Sequence, residues 1–395
     1  MITIRAFDKR KSTYELAFRG ASSASSPAFG SGWSCYEDNI TKCSLGQYSE
    51  DIEIKDKFTP KKAFSQLLSN SYFRLYNKYI IIGNDGKPII NPLTDKFFNK
   101  AHNVLECGSF LSFAHEINEF GEVAESGKLH KANFCKDRLC PMCSWRRSYK
   151  IFSQVSQIMA EIHGDYKFLF LTLTVPNVSK EELNSTIDHL MSSWNRFSGY
   201  KAIKKVLKGY FRALEITYNK ETNTFHPHFH VVLAVPLSYC QGSLYITRDE
   251  FLEMWRKATR DKSITQVDIR VCKNKFSEDE LKAQNYLSSA VAEVAKYAVK
   301  SSDYLLDDES LTDTLVEVFS SALSHRRLVQ FGGIFKDVFK KLRFDDAESE
   351  TADLVHINDK LNPSLAWLIC RYGWSMGAYQ LIGSHIETPD QHNKN

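Results

Sequence analysis

The segment that most constrains the fold is His226-Pro227-His228-Phe229-His230, which runs directly into the apolar residues 231–235. Alternate residues of a β-strand point to the same face, so a strand here places all three imidazoles on one side of a sheet. Imidazoles arranged in this way can ligate one divalent cation. The pattern therefore predicts a strand that carries a metal site, although solvated or hydrogen-bonded histidines would show the same spacing.

The segment before the histidines predicts a partner strand. Residues 211–218 alternate in polarity, and residues 220–223 are suited to a four-residue turn between two antiparallel strands. In that register Glu215 lies directly across from His228, where a carboxylate suits Mg²⁺ or Mn²⁺. An odd loop or a bulge would turn Glu215 away and leave His226 as the third ligand beside His230.

The cysteines predict a second metal site. Four of the nine cluster between residues 107 and 143, and Cys140-Pro141-Met142-Cys143 is a turn that lets two thiolates hold one tetrahedral Zn²⁺. We expect a closed structural zinc site, in which His102 or His130 could replace the most distant cysteine. The predicted ligands are Cys107, Cys135, Cys140 and Cys143.

The same region is rich in basic residues. Between residues 128 and 150 lysine and arginine far outnumber the single aspartate, and Trp145 and Tyr149 lie among them. This combination favours a surface that contacts DNA phosphates and stacks bases, whereas the alternative is a solvated charged helix face. The candidate DNA contacts are Arg138, Arg146, Arg147 and Lys150.

The order of the predicted elements favours an α+β fold. Residues 168–175 alternate leucine with threonine and phenylalanine and end at Pro176, which predicts a central strand. Residues 179–207 have helical periodicity, the two strands of the hairpin follow, and residues 278–300 predict a further helix. Strand, helix, strand, turn and strand in this order indicate an α+β sheet and exclude a doubly wound one.

Length, net charge and apolar content constrain the class of protein less specifically. The chain has 395 residues and a net charge of +4, too small a charge to identify a nucleic-acid partner alone. It contains no run of 18 apolar residues and no apolar stretch behind its basic N-terminus, so we expect a soluble cytoplasmic protein that does not contact membranes. Gly86-Lys87 is not part of a phosphate-binding loop, so we expect no nucleotide cofactor.

Three motifs in a fixed order resemble those of a known family. They are Phe170-Leu171-Thr172-Leu173-Thr174, then the histidine segment 226–230, then Glu293 with Tyr297 and Lys300. They look like the motifs of rolling-circle plasmid replication initiators, members of the HUH endonuclease superfamily. The cysteine segment 134–147 and the later segment 326–336 are also similar to that family, so the resemblance covers about residues 101–342.

The resemblance implies a fold and a division of the chain. It implies an HUH-type antiparallel sheet flanked by helices over residues 151–345, preceded by a zinc-binding basic segment over 101–150. Residues 1–100 form a region of unclear role, and residues 346–395 a C-terminal tail. A single-tyrosine transposase, or a zinc-stabilised protein that only binds DNA, are the alternatives.

The resemblance also implies an activity. A metal held by His228 and His230 would polarise a phosphate of origin DNA, single-stranded or supercoiled, and Tyr297 would attack it to form a 5′-phosphotyrosine link. Lys300 would assist the attack. Host helicase and replication proteins are the implied partners, while the oligomeric state stays open.

Two further positions of the third motif have competing interpretations. Glu293 either activates water at termination or forms a helix-stabilising ion pair with Lys296 or Lys300. Tyr304, seven residues after Tyr297, is a second candidate nucleophile if the helix continues that far.

Overall fold

The computed structural model describes residues 54–84, 86, 88–89, 91–272, 289–296, 298–357 and 361–389. Tyr297 and most of the predicted helix over 278–300 therefore lie outside the described residues. The chain divides into two compact units. One comprises residues 1–63, 108–133 and 361–395, and the other comprises 64–107 and 134–360.

The secondary-structure elements are numbered here in chain order. The helices are α1 (Ile54–Tyr79), α2 (Pro92–Glu106), α3 (Pro141–Ile162), α4 (Leu183–Gly199), α5 (Lys201–Val206), α6 (Arg248–Thr259), α7 (Ser289–Val294), α8 (Glu309–Ala322) and α9 (Ile334–Lys341). The strands are β1 (Ile81–Ile82), β2 (Pro88–Ile89), β3 (Phe110–Ile117), β4 (Lys128–Ala132), β5 (Tyr166–Thr174), β6 (Gly209–Asn219), β7 (Thr224–Pro236), β8 (Asp268–Val271), β9 (Val329–Gly333), β10 (Ala366–Ser375) and β11 (Ala378–Glu387).

A five-stranded sheet organises the larger unit. Its strand order is β8-β5-β7-β6-β9, and every neighbouring pair is antiparallel. The predicted hairpin is confirmed: β6 and β7 are joined by residues 220–223, and Glu215 pairs directly with His228. Strand β5 has a partner on both sides, as expected for a central strand. The α+β class is therefore confirmed.

Helices cover both faces of this sheet. Helices α3, α7 and α9 pack on the face that carries Phe170, Phe211 and Val232, where a continuous apolar core forms. Helices α4 and α6 lie on the other face, with Trp194 and Trp255 fully buried. Burial of a Phe or Val side chain typically contributes roughly 1.5–3 kcal/mol, so packing against the helices stabilises the sheet.

Two predicted helices differ from the observed ones. The helix predicted over 179–207 is divided into α4 and α5, because Tyr200 between them has extended dihedral angles (φ −66°, ψ 141°). Helix α7 ends at Val294, and Lys300 is also extended (φ −78°, ψ 143°). The helical spacing expected between Glu293 and Lys300 is therefore wrong, since the chain leaves the helix between them.

The smaller unit contains a four-stranded antiparallel sheet with the order β11-β10-β3-β4. Trp367 and Ile369 of β10 pack with Ala114 of β3 in its core. Residues 366–387 are thus integral strands, which corrects the prediction that residues 346–395 form a tail. The predicted segment 101–150 is likewise divided, since residues 108–133 belong to this unit.

Within the part of the chain that the structure describes, no helix combines the length and the apolar character needed to cross a membrane.

Candidate active site

Glu215, His228 and His230 meet on the α7-covered face of the sheet. His230 Nε2 lies 2.8 Å from Glu215 Oε2, and His228 Nε2 lies 3.5 Å from the same oxygen and 3.2 Å from His230 Nε2. All three side chains are buried. Three ligand atoms this close can share one ion at about 2.0–2.2 Å from each. The donor set of two imidazoles and one carboxylate therefore fits a divalent metal.

The two imidazoles are oriented by contacts on their other nitrogens. His228 Nδ1 lies 3.0 Å from the backbone oxygen of His226, and His230 Nδ1 lies 3.2 Å from Thr172 Oγ1. In the tautomer with hydrogen on Nδ1, both rings donate these bonds and keep the Nε2 lone pair for a metal. No sequence pattern indicates this role of Thr172, although the residue belongs to the first motif.

His226 does not join this group. Its ring hydrogen-bonds to the backbone of Val175 and stacks on His228, with centroids 4.9 Å apart and planes 27° from parallel. Burial, and then the neighbouring charge of His228, lower the pKa of His226. Because the β6–β7 register contains no bulge, Glu215 occupies the third position and His226 lies outside it.

Charge favours an ionised Glu215. Burial alone would raise the pKa of this carboxyl, but the hydrogen bonds and charges of His228 and His230 lower it well below the usual range. Lys300 Nζ adds a contact of 3.3 Å to Glu215 Oε1. The carboxylate is therefore negative at neutral pH and available to a cation.

The chain on both sides of Tyr297 lies against this group. Glu293 Oε1 is 4.0 Å from His230 Nε2, while Glu293 Oε2 forms an ion pair with Lys296. After the tyrosine, Ala298 O accepts a 2.7 Å hydrogen bond from Ile216 N, the residue next to Glu215. Tyr297 itself lies outside the described residues, but the residues before and after it are tied to the candidate metal group.

Tyr304 does not fit the alternative role of nucleophile. Its side chain is 1% exposed, and its hydroxyl donates a hydrogen bond to the backbone oxygen of Leu139. A buried phenol that is engaged in this way cannot reach a phosphate. The interpretation of Tyr304 as a second nucleophile is therefore wrong.

The four predicted cysteines form one cluster. Cys107 Sγ lies 3.5 Å from the sulfurs of both Cys140 and Cys143, and Cys135 Sγ lies 3.7 Å from Cys143 Sγ. Tetrahedral zinc with bonds of about 2.3 Å requires sulfurs roughly 3.8 Å apart. The arrangement fits that ion, and among the described residues neither His102 nor His130 belongs to the cluster.

Backbone donors support a thiolate cluster. The amide nitrogens of Lys136 and Asp137 lie 3.1 and 3.4 Å from the sulfurs of Cys143 and Cys135. Burial alone would raise the pKa of Cys140, but hydrogen bonds from the other three cysteines and Ser65 lower it well below its ordinary value. Without a metal, the pKa values of Cys107, Cys135 and Cys143 are instead raised, by burial and by their hydrogen bonds with one another, so one thiolate is shared among four sulfurs. The backbone donors favour the metal-binding form of the sulfurs that they contact.

The basic side chains of α3 have a different role from the predicted one. Arg146 donates to the backbone oxygens of Leu354 and Val355, both at 2.8 Å, and Arg147 donates to Ala347 O at 3.1 Å. Both arginines are buried, and desolvation lowers the pKa of Arg146 to about 10.

Lys150 and Arg138 are also engaged inside the protein. Lys150 is 2% exposed and contacts Asp345 Oδ2 and Asp353 O, both at 2.5 Å. The half-buried Arg138 donates to the backbone oxygens of Leu323 and Arg326. The prediction that these four residues contact DNA is wrong for the three buried ones, because a phosphate contact requires an accessible cation. Arg146, Arg147 and Lys150 instead hold residues 345–355 against α3.

The sequence of this chain is similar to those of known proteins. Residues 126–377 match a family model described as "Replication protein". The chain is 40% identical over 271 residues to a "Protein rep" of Bacillus amyloliquefaciens, covering 66% of this chain and 78% of that protein. A "Protein rep" from Bacillus sp is 38% identical over 275 residues, or 67% of this chain and 87% of that protein. No solved structure matches the chain.

Proposed function

The chain belongs to the replication protein family, the rolling-circle plasmid initiators whose motifs it resembles, and we propose that it nicks one strand of a plasmid's double-strand origin through a tyrosine. The observation that carries this proposal is the convergence of Glu215, His228 and His230 beside the segment that contains Tyr297. In this proposal the fold is of the HUH type and the protein acts in the cytoplasm with a host helicase.

The reaction would be a transesterification. Mg²⁺ or Mn²⁺ held by His228, His230 and Glu215 would draw negative charge from the scissile phosphate. The phenolic oxygen of Tyr297 would form a new bond to phosphorus while the bond from phosphorus to the 3′ oxygen breaks. The phenol loses its proton and the departing 3′ oxygen gains one, which leaves a 5′-phosphotyrosine and a free 3′-hydroxyl.

The cations near the site would make the tyrosine a better nucleophile. A phenol has an ordinary pKa of about 10, so attack at neutral pH requires help. Lys300 Nζ lies at the candidate metal group, 3.3 Å from Glu215, and Lys296 pairs with Glu293. Positive charges there favour the phenolate and the extra negative charge of the transition state.

Glu293 is our candidate base for termination. Its carboxylate lies between His230 and Lys296, so it is close to the candidate metal group, where water would attack the phosphotyrosine in this proposal. The ion pair with Lys296 supports the alternative structural role equally well, and the two roles make different predictions.

The cysteine cluster would hold a structural zinc ion. Its four sulfurs leave no open coordination position for a substrate, which is typical of zinc sites that stabilise a fold. The proposed metals thus have separate roles, one in catalysis and one in stability.

The test is covalent capture of DNA. The protein is incubated with Mn²⁺ and a supercoiled plasmid that carries its gene and flanking DNA, or with single-stranded oligonucleotides that tile this DNA. We expect an adduct that resists denaturing electrophoresis, and we expect Tyr297→Phe to abolish it while DNA binding persists.

Tyr304→Phe is the matched control. It removes the other phenol of the motif region and should still form the adduct. A wild-type protein that binds the plasmid without nicking it would instead support a DNA-binding protein that lacks catalysis. An adduct formed by Tyr297→Phe would overturn the assignment of the nucleophile.

A further inference from the structure

A cavity opens beside the candidate metal group, at the turn that joins β6 to β7. Its volume is about 510 Å³, and it is broadly open to solvent. Its walls include Asn177, Thr217, Asn219, Lys220 and His226. None of these lining residues belongs to the group formed by Glu215, His228 and His230.

The cavity and the metal group lie on one face of the same hairpin. Glu215 pairs with His228, Thr217 with His226, and Asn219 with Thr224, and all three pairs point to that face. One step along this series covers two residues, or about 6.8 Å. A polar row therefore runs from the metal group to the turn, and the cavity begins one step from the group.

His226 connects the two sites. Its ring stacks on His228, lines the cavity, and is held by its hydrogen bond to the backbone of Val175. The histidine that the metal group excludes thus has a fixed position between a metal ligand and the cavity. His226 therefore borders both the metal group and the cavity, although it is not one of the candidate metal ligands.

The wall of the cavity that contains Asn177 is also held in place. Val178 and Phe225 exchange two backbone hydrogen bonds of 2.8 Å, which attach the loop after β5 to the start of β7. Asn177 Nδ2 donates a bond of 3.2 Å to Thr224 Oγ1. This wall is therefore in place before any ligand binds, which reduces the entropy lost on binding.

The lining suits a nucleotide. Asn177, Thr217 and Asn219 offer short polar groups, and Lys220 is exposed and makes no ion pair with any residue that the structure describes. Glu221 at the rim and the nearby Asp303 partly offset the charge of Lys220, which favours one phosphate over a highly charged anion. The lining thus combines a cation for a phosphate with hydrogen-bonding groups for a sugar or a base.

We propose that this cavity binds the nucleotide next to the scissile phosphate, with Lys220 contacting its phosphate and Asn177 and His226 positioning its sugar and base. The proposal rests on the proposed nicking function, because it places the reacting phosphate at the neighbouring metal group. Lys220, Asn177 and His226 are then positioning residues that bind substrate and leave the chemical step to others.

The test separates binding from chemistry. Binding of a fluorescent single-stranded oligonucleotide that contains the nick site is measured by anisotropy in a chelator, over a range of salt concentrations. We expect Lys220→Ala and Asn177→Ala each to weaken binding severalfold, and Lys220→Ala to reduce the salt slope by about 0.7, the value of one phosphate contact on a single strand. With Mn²⁺, KM should rise while kcat changes little.

An abasic site at each position around the nick locates the contact. In the wild type, cleavage should be most sensitive at one of the two nucleotides that flank the nick, and Asn177→Ala should lose that sensitivity. Lys204→Ala, an exposed lysine on α5, is the control that should behave as wild type.

The outcomes distinguish this inference from the function it rests on. If Lys220→Ala and Asn177→Ala bind and cleave like the wild type, the cavity is not a nucleotide site, whatever the nicking result. If the wild type forms no covalent adduct with any of the tiling oligonucleotides, but both variants bind these oligonucleotides more weakly than the wild type, the nicking function fails and the cavity remains a DNA contact. Equal sensitivity to abasic sites throughout the oligonucleotide would also overturn the inference.

Discussion

Lys300 Nζ lies 3.3 Å from Glu215 Oε1, and the other oxygen of the same carboxylate lies 2.8 Å from His230 Nε2. One buried carboxylate thus contacts both the candidate metal group and the segment that follows Tyr297. Because Ala298 O also bonds to Ile216 N, this segment is attached to β6 by a side-chain and a backbone contact. Metal binding and the position of the proposed nucleophile therefore depend on the same strand.

Removing the Glu215 charge should weaken metal binding. Glu215→Gln keeps the size of the side chain but loses the anionic ligand, and we expect the affinity for Mn²⁺ to fall by at least about tenfold, the smallest loss typical of even an outer-sphere partner. Isothermal titration with Mn²⁺, and nicking measured against Mn²⁺ concentration, check this. Glu181→Gln, at an exposed glutamate, is the control. Unchanged Mn²⁺ affinity in Glu215→Gln would exclude Glu215 as a ligand.

The same carboxyl should make stability depend on acid pH. Its pKa is lowered in the folded protein, so the folded state binds fewer protons than the unfolded one below the ordinary glutamate pKa of about 4.3. The stabilisation is therefore present above that pH and is lost as the pH falls toward the folded pKa. We expect the unfolding free energy of metal-free wild type to decrease more steeply below about pH 4.3 than that of Glu215→Gln. Parallel urea-denaturation curves for the two proteins would contradict this.

Glu293→Gln should separate hydrolysis from nicking. If the carboxylate is the base for termination, the variant still forms the Tyr297 adduct but fails to release it to water, so the adduct accumulates. Lys296→Ala is the matched control, because it removes the ion pair and keeps the carboxylate. If Glu293 only pairs with Lys296, both variants lose about 0.2–1 kcal/mol of stability, the range of a partly exposed ion pair, and hydrolyse normally. A time course of adduct decay distinguishes these results.

Cys140→Ser should remove a tightly bound zinc ion. We expect one zinc per chain in protein purified without added metal, and a lower zinc content with a lower Tm in the variant, because structural zinc binding is coupled to folding. Cys240→Ser, at an exposed cysteine outside the cluster, should keep both values. Elemental analysis decides the outcome, and zinc-free wild type that remains folded would refute the proposed site.

Lys150→Met should destabilise the protein without altering DNA binding. The ammonium is buried against Asp345 and Asp353 O, so its loss leaves these groups without their partner and costs about 1–3 kcal/mol, less than a fully buried pair because Asp345 is half-exposed. Urea denaturation measures this cost, with Lys204→Met as the exposed control. The salt dependence of DNA binding should stay unchanged. A smaller salt slope in Lys150→Met would instead support the phosphate contact predicted from the sequence.

Several features could be predicted from sequence because local rules determine them. The four-residue turn and the alternation of β6 and β7 placed Glu215 across from His228, as observed. The spacing of the cysteines likewise indicated that Cys135, Cys140 and Cys143 meet, whereas the structure decided that Cys107 completes the cluster in place of His102 or His130. Cys107, which is far from the others in sequence, lies directly after the end of α2.

Other features needed contacts between distant residues. The density of arginine and lysine on α3 indicated a charged surface, yet Arg146 bonds to Leu354, which is 208 residues away. No local pattern reports such a partner. The strands β10 and β11 were missed for the same reason, since β10 pairs with β3, which lies far earlier in the chain.

The sequence alone determined the strand that carries the histidines, its hairpin partner and three of the four clustered cysteines, because periodicity, turn length and close spacing act over a few residues. Only the tertiary structure decided that Glu215 rather than His226 joins His228 and His230, that Tyr304 is buried, and that Arg146, Arg147 and Lys150 face inward. These outcomes depend on which surfaces become buried when distant segments pack, and burial decides whether a charged or phenolic group can meet a substrate.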